Sequence, residues 1–170
     1  MPRLKRTCGS DGSGRTPQFD GAMRVVMSQL NQAKQLAITQ RRNMRLTFNG
    51  NNSVQIVREE VPGPVLTTIS SVPFEGGLQF LRLAGPPDLT VPPLSEVPAT
   101  PAGVGLAFGV ATQLRFSPEG TFIDQDGTAL NGTLFIALTG QVMSARAVSI
   151  FGSTGRIRAF RWDGSRWMAV

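Results

Sequence analysis

One stretch of this sequence has the periodicity of an amphipathic helix, and it precedes a long series of short strand-like segments. Pro17, Phe19 and Asp20 introduce this helix, and Asp20 is a suitable N-cap residue. Apolar residues then recur every three or four positions and predict one buried stripe, formed by Met23, Val26, Leu30, Ala33, Ala37 and Met44. We therefore expect the helix to bury one face against the strands that follow.

From Arg45 onward the pattern changes to short strands. Residues 46–48 and 54–57 flank Asn49-Gly50-Asn51-Asn52 and predict a hairpin, because Asn and Gly tolerate the positive φ of such turns. A terminal hairpin is predicted to pair residues 156–162 with 165–170 across Asp163-Gly164. Other candidate strands are 65–72, 78–83, 113–116, 121–123, 132–138 and 145–151. The order predicts an α+β fold, with one long N-terminal helix packed on antiparallel sheet.

The ends of the chain and one internal segment have a different composition. Residues 1–16 are polar, basic and rich in Gly and Ser, so we expect a disordered tail that contains the single cysteine, Cys8. Residues 84–105 hold six prolines, which cannot donate ladder hydrogen bonds. We interpret this segment as a surface insertion within one domain, residues 17–170, because neither flank alone has both a helix and a full sheet.

The residue types present exclude several classes of function. The chain has no His and one Cys, so it cannot form Ser-His or Cys-His catalytic pairs, a thiolate zinc site or an intramolecular disulfide. The carboxylates of Glu59, Glu60, Asp124 and Asp126 fall in turns and strand ends without a catalytic context. We predict a non-enzymatic protein with no cofactor, no metal and no small-molecule substrate. No run of about 18 apolar residues predicts a transmembrane helix.

Three segments, taken in order, resemble the GspH/FimT-type pseudopilins, which are type IV pilin-like minor pilins of the type II secretion protein H family. The segments are AITQRRNMRLTFNG (37–50), FSPEGT (116–121) and IFGSTGRIR (150–158). The resemblance covers about residues 17–170. It implies a non-enzymatic minor pseudopilin or minor pilin of a type II secretion or type IV pilus system, which acts through contacts with other pilin subunits.

The resemblance fails at the start of the sequence. Family members begin with a short basic leader, a Gly-Phe-Thr-Leu-x-Glu processing site and an apolar anchoring helix, and none of these is present here. The resemblance implies an extracytoplasmic location, at the inner membrane, periplasm, pilus or pseudopilus. We expect that this chain lacks export and anchor signals of its own, and that it would contact a membrane only through an anchor it does not contain.

The sharpest candidate site is the Gly155-Arg156-Ile157-Arg158 segment. Arg156 and Arg158 stand two apart on a predicted strand, so both project from one face while Ile157 points to the core. In the FimT branch a Gly-Arg-x-Arg motif is implicated in DNA binding during uptake. The resemblance thus implies a DNA site at Gly155, Arg156 and Arg158. Arg161 and Arg166 of the predicted terminal hairpin would extend this site to a basic surface beside Trp162 and Trp167. The alternative is that these arginines only discourage edge-to-edge pairing and the tryptophans only pack.

Two further segments have competing interpretations. Arg41, Arg42 and Arg45 form either a solvated helix end or an interface with an acidic neighbouring subunit. Residues 124–127, Asp-Gln-Asp-Gly, begin like a calcium loop but lack the remaining ligands and the closing glutamate, which favours a β-turn.

Overall fold

The computed structural model of the chain describes residues 16–63, 65–89 and 100–170. Within these ranges one helix, α1 (Thr16–Gln40), precedes eleven strands. The strands are β1 (Met44–Asn49), β2 (Ser53–Glu59), β3 (Leu66–Pro73), β4 (Gln79–Phe80), β5 (Leu106–Ala107), β6 (Leu114–Phe116), β7 (Phe122–Ile123), β8 (Gly132–Leu138), β9 (Gln141–Phe151), β10 (Arg156–Trp162) and β11 (Trp167–Ala169).

The strands form two sheets in which the named pairings are antiparallel. Sheet A has the order β3-β2-β1-β6-β7, and sheet B has the order β11-β10-β9-β8-β4, with β5 also paired to β8. Helix α1 contacts both sheets, most extensively β9, β10, β1 and β2. The predicted α+β fold, with one long helix packed on antiparallel sheets, is confirmed.

The predicted helix stripe forms the centre of the core. Its five helical members, Met23, Val26, Leu30, Ala33 and Ala37, are at most 2% exposed. They pack with apolar side chains from both sheets, so the helix buries one face as its spacing predicts.

Two details of the helix prediction are wrong. Met44 is buried as the first residue of β1, because the helix ends at Gln40. Arg41 has a φ of 50°, and the Arg42 N–H donates to the Ala37 carbonyl oxygen, a pattern that closes a helix with one left-handed residue. Asp20 is not an N-cap, because it lies inside α1, where its carboxylate accepts a hydrogen bond from Arg146 instead.

The hairpin predictions are largely confirmed. β1 and β2 pair across residues 50–52, and β10 has its predicted bounds and pairs with β11. β11 covers only 167–169 of the predicted 165–170, whereas β8 has its predicted bounds. The candidate strand 78–83 is reduced to β4, because the N–H groups of Leu81 and Arg82 donate to two different segments, at Phe135 and Val104. β9 begins four residues earlier than predicted, at Gln141, and the added residues include the exposed Val142 and Met143.

Both faces of sheet B carry buried side chains. Its inner face, defined as the side that packs on α1, carries Leu134, Ile136, Val148 and Ile150, while its outer face carries Phe135, Ala147 and Phe160 under Leu89. Leu89 is buried, so the start of the proline-rich segment covers the sheet and is not simply a surface loop as expected. Residues 90–99 of that segment and the tail 1–15 with Cys8 lie outside the described residues, whereas Thr16 already belongs to α1. The domain bounds stay a prediction.

Candidate functional site

Two of the segments that carry the family resemblance meet at one point. A Cβ on Gly155 would collide with the carbonyl oxygen of Gly120, so the turn before β10 packs directly on the turn between β6 and β7. Lys34 of α1 donates through Nζ to the carbonyl oxygens of Thr154 and Gly155, each at 3.0 Å. Gly155 has a φ of 58°. The glycine of the Gly-Arg-x-Arg segment therefore has a packing role that fixes where β10 begins.

Arg156 and Arg158 share the outer face of sheet B. The register pairs Arg158 with Ser149 and Phe160 with Ala147, and residues two apart on a strand point to the same side. Ile157 lies on the inner face and packs against the core that surrounds α1. Arg156 is exposed and Arg158 half-buried, and neither forms an ion pair with any described residue. The shared face that the sequence predicts for these two arginines is confirmed.

Arg161 and Arg166 do not join that pair. Arg161 stands opposite Arg146 in the register, and Arg146 bonds to α1, so Arg161 projects from the inner face. Arg166 lies at the tip of the β10–β11 hairpin, and its side chain is 74% exposed. Its Nε lies 3.6 Å from Oδ2 of Asp163. The backbone N–H groups of Arg166 and Ser165 lower the pKa of Asp163 to about 2. The predicted five-residue surface is thus divided among two faces and a hairpin tip.

The two tryptophans are packing residues, as the alternative interpretation has it. Trp162 is buried and its ring meets that of Trp167 edge-on, with centroids 5.5 Å apart. The Trp167 indole N–H donates to the Pro87 carbonyl oxygen at 2.8 Å. Trp162 and Trp167 lie at the other end of β10 from Arg156 and Arg158, so neither tryptophan offers the arginine pair a stacking surface for an unpaired base.

The second arginine cluster is also separated by the fold. Arg41 is exposed at the helix end, and the Arg42 guanidinium donates to the Arg41 carbonyl oxygen. Arg45 lies on β1, where its guanidinium meets Glu59 with an Nη2–Oε1 distance of 2.8 Å and also donates to Gln113. Arg115 reaches the other carboxylate oxygen of Glu59 at 3.1 Å. Arg45 is therefore part of an internal network, whereas Arg41 and Arg42 remain at the surface.

The pKa of Glu59 reflects this network. Burial by itself raises the pKa, but hydrogen bonds from Arg45, Asn43 and Arg115 outweigh burial and hold the pKa below 4.5. A carboxyl group whose pKa is lowered in the folded state adds stability above pH 4.5, and this stability is lost as the pH falls through its folded pKa.

We expect Glu59→Gln to lower the free energy of unfolding by about 1–2 kcal/mol at pH 7, because the two guanidinium groups lose their charged partner. Urea titrations of both proteins at pH 7 and at successively lower pH measure the effect. The difference between them should shrink as the pH falls below 4.5 and should vanish once Glu59 is protonated in the folded protein as well. A difference that stays constant down to acidic pH would contradict the assigned role of the Glu59 charge.

A buried arginine is the feature that the sequence analysis missed. Arg146 is 1% exposed, and its Nε donates to the Asp20 carboxylate at 2.7 Å. Its Nη1 donates to the carbonyl oxygens of Met143 and Ala145, and its guanidinium lies 5.8 Å from the centre of the Phe19 ring. The sequence did contain a signal for this residue, because Arg146 stands inside the largely apolar run 145–151. An arginine buried in such a run almost always has a charged partner, so the position predicts an ion pair.

Residues 124–127 form a turn. The Asp124 carboxylate accepts hydrogen bonds from the backbone N–H groups of Asp126 and Thr128, both at 2.9 Å, and Gly127 has a φ of 82°. The side chain that would be the first calcium ligand therefore closes its own loop. The β-turn interpretation is confirmed.

The comparison with known families decides the identity of the chain. The family model described as type II transport protein GspH matches residues 22–155, which include α1 beyond its first turns, all of sheet A, and sheet B up to the Gly152–Gly155 turn that precedes β10. The chain belongs to the GspH family. Proteins of this family are structural and non-enzymatic, and the chain is accordingly a pilin-like protein of the minor pilin and pseudopilin type. A search of curated proteins finds no match.

Solved structures agree with the fold of the family. The chain is similar to the type IV minor pilin FimU of Pseudomonas aeruginosa, with 16% identity and a TM-score of 0.57 over 91% of this chain and 95% of FimU. A second crystal form of FimU gives a TM-score of 0.53 over 88% and 96% of the two chains, again with 16% identity. At this identity the likeness supports the fold alone. In the part of the chain that the structure describes, no helix combines the length and the apolar character needed to cross a membrane.

Proposed function

We propose that this chain is a structural subunit of an extracytoplasmic pilus or type II secretion pseudopilus and works through contacts with other pilin subunits. The observation that carries the proposal is the match of the GspH family over residues 22–155. Exposed cations support it, because Arg41 and Arg156 form no ion pair with any described residue and can meet acidic neighbours.

Retention of other pilin subunits by the purified chain tests this proposal. We expect the wild type to retain at least one pseudopilin or minor pilin encoded beside its gene. The variant Arg41→Asn/Arg42→Gln should retain it less, and Asn is chosen because it tolerates the left-handed backbone of residue 41. Arg24→Gln/Arg161→Gln, which removes the same number of charges at two other exposed arginines, is the matched control. If the wild type retains no pilin subunit, the proposal is wrong.

A second candidate function is DNA binding in natural transformation. It is favoured by one observation, the placement of Arg156 and Arg158 on the same face without an ion pair to any described residue. Two adjacent guanidinium groups suit backbone phosphates, and such binding weakens steeply as salt increases. In this proposal Gly155 positions the strand. Arg161, on the inner face, and Arg166, at the hairpin tip, would add positive charge near the DNA without joining the contact made by Arg156 and Arg158.

Gel retardation of duplex DNA tests the second candidate. We expect retardation at low salt that is lost in Arg156→Gln/Arg158→Gln, with a smaller loss in Arg161→Gln because Arg161 lies on the inner face. The three proteins are compared at two salt concentrations so that the charge dependence is measured directly. Absence of wild-type retardation at low salt would end the DNA proposal, whatever the outcome for pilin subunits.

A further inference from the structure

Strand β10 has one edge that is only partly paired. β11 pairs with Phe160–Trp162, and the Val170 N–H donates to the Ala159 carbonyl oxygen at 3.0 Å. Alternate residues of an antiparallel strand direct their N–H and C=O groups to the same edge. The N–H and C=O groups of Ile157 therefore point to the same edge of β10 as those of Ala159. No strand among the described residues pairs with Ile157 at this edge.

A groove of about 400 Å³ lies beside this edge. Its inner side is apolar, with Met27 of α1 and Ile157, and its outer side carries Arg156 and Arg158. The groove is short, because Ala169 and Val170 bound it at one end and the Gly155 carbonyl oxygen already accepts from Lys34 at the other. It therefore has room for the backbone of about three residues, centred opposite Ile157.

We propose that this groove binds an extended segment of a neighbouring subunit in which one apolar residue stands between two acidic residues. The apolar residue would pair with Ile157 through two backbone hydrogen bonds, and its side chain would lie on the inner side beside Met27. The acidic residues would then stand on the outer side opposite Arg156 and Arg158, which have no ion pair among the described residues. The inference rests on the proposed function as a subunit.

The sequence indicates that the segment comes from a different protein and not from a second copy of this chain. Asp124 and Asp126 are its only two acidic residues that stand two positions apart, and the residue between them is the polar Gln125. The Asp124 carboxylate also closes its own turn, so this segment cannot extend without losing those hydrogen bonds.

Fluorescence anisotropy with a labelled synthetic peptide tests the pattern of the ligand. The probe has the core Glu-Val-Glu between threonines, and the control peptide has the same composition with the core Val-Glu-Glu, which cannot place both carboxylates on one side. We expect the probe to bind about tenfold more tightly than the control. Arg156→Gln/Arg158→Gln should weaken the probe by about tenfold, whereas Arg24→Gln/Arg161→Gln, which removes as much charge elsewhere, should change it less than about twofold.

Backbone methylation tests the strand pairing itself. N-methylation of the central valine removes the N–H that would donate to Ile157 and should abolish binding, while N-methylation of the first glutamate, whose N–H points away, should be tolerated. Equal binding of the two methylated peptides, or of the two core patterns, would overturn the proposal, as would binding of duplex DNA but not of the probe. If pilin subunits are retained equally by wild type and Arg156→Gln/Arg158→Gln and the probe does not bind, this inference fails while the proposed function stands.

Discussion

Replacement of Asp20 by Ala should lower the free energy of unfolding by about 3–5 kcal/mol, because it leaves a buried guanidinium without its counter-charge. Arg146 is 1% exposed, and water that entered from the 22% exposed side of Asp20 would supply a hydrogen bond but no negative charge. The two carbonyl oxygens that Arg146 also meets neutralise none of its charge. Urea denaturation followed by circular dichroism measures the change.

A double variant separates the lost pairing from general damage to the helix. In Asp20→Ala/Arg146→Met the buried charge and its partner are both removed, and an apolar side chain of similar length fills the space. We expect this protein to recover most of the stability lost in Asp20→Ala. Two results would show that the Asp20 carboxylate does not stabilise the buried Arg146. One is an Asp20→Ala variant whose free energy of unfolding lies within about 1 kcal/mol of the wild type, and the other is a double variant as unstable as Asp20→Ala.

The second large effect is expected at the turn before β10. Gly155→Ala should lower the free energy of unfolding by about 2–4 kcal/mol. The new Cβ would collide with the Gly120 carbonyl oxygen, and a φ of 58° is strained for alanine. Backbone atoms on both sides of this contact cannot rotate away as a side chain can. The shift also displaces the start of β10, so we expect faster amide exchange from Gly152 to Arg158.

Gly127→Ala is the matched control for Gly155→Ala. Gly127 also has a positive φ, of 82°, but a Cβ there would meet nothing within 4 Å. Gly127→Ala should therefore lower the free energy of unfolding only by the conformational strain of alanine, about 1 kcal/mol. Thermal unfolding of both variants isolates the collision, and equal destabilisation would show that the contact between the two turns is unimportant.

Local periodicity predicted the parts of the fold in which one face of an element is buried. The helix stripe and the β1–β2 hairpin follow from spacing and turn residues, and the structure confirms them. The helix end was misplaced because Arg41 occupies a backbone conformation that usually belongs to glycine, and no pattern of apolar residues signals that choice. β8 is buried at six of its seven positions, so its strand character followed from residue type and not from alternation.

The candidate site was predictable only as far as strand alternation extends. Arg156 and Arg158 stand two apart and share a face, and the same rule places Arg161, three positions beyond Arg158, on the other face. The roles of Trp167 and Gly155 depend on distant partners, Pro87 and Gly120, which no local pattern names. The unpaired edge at Ile157 likewise appears only once the register of β11 is known.

The two polar contacts of α1 with the end of sheet B have a mechanical consequence. Asp20 meets β9 at Arg146, and Lys34 meets the turn that follows β9 at Thr154, so helix and strand run side by side in the same direction. These contacts are separated by about 20 Å of helix. A pull along the helix axis would load both contacts in shear at once, together with the apolar stripe between them. The fold would thereby resist tension on its helix, which suits the proposed role as a subunit of a pilus or pseudopilus.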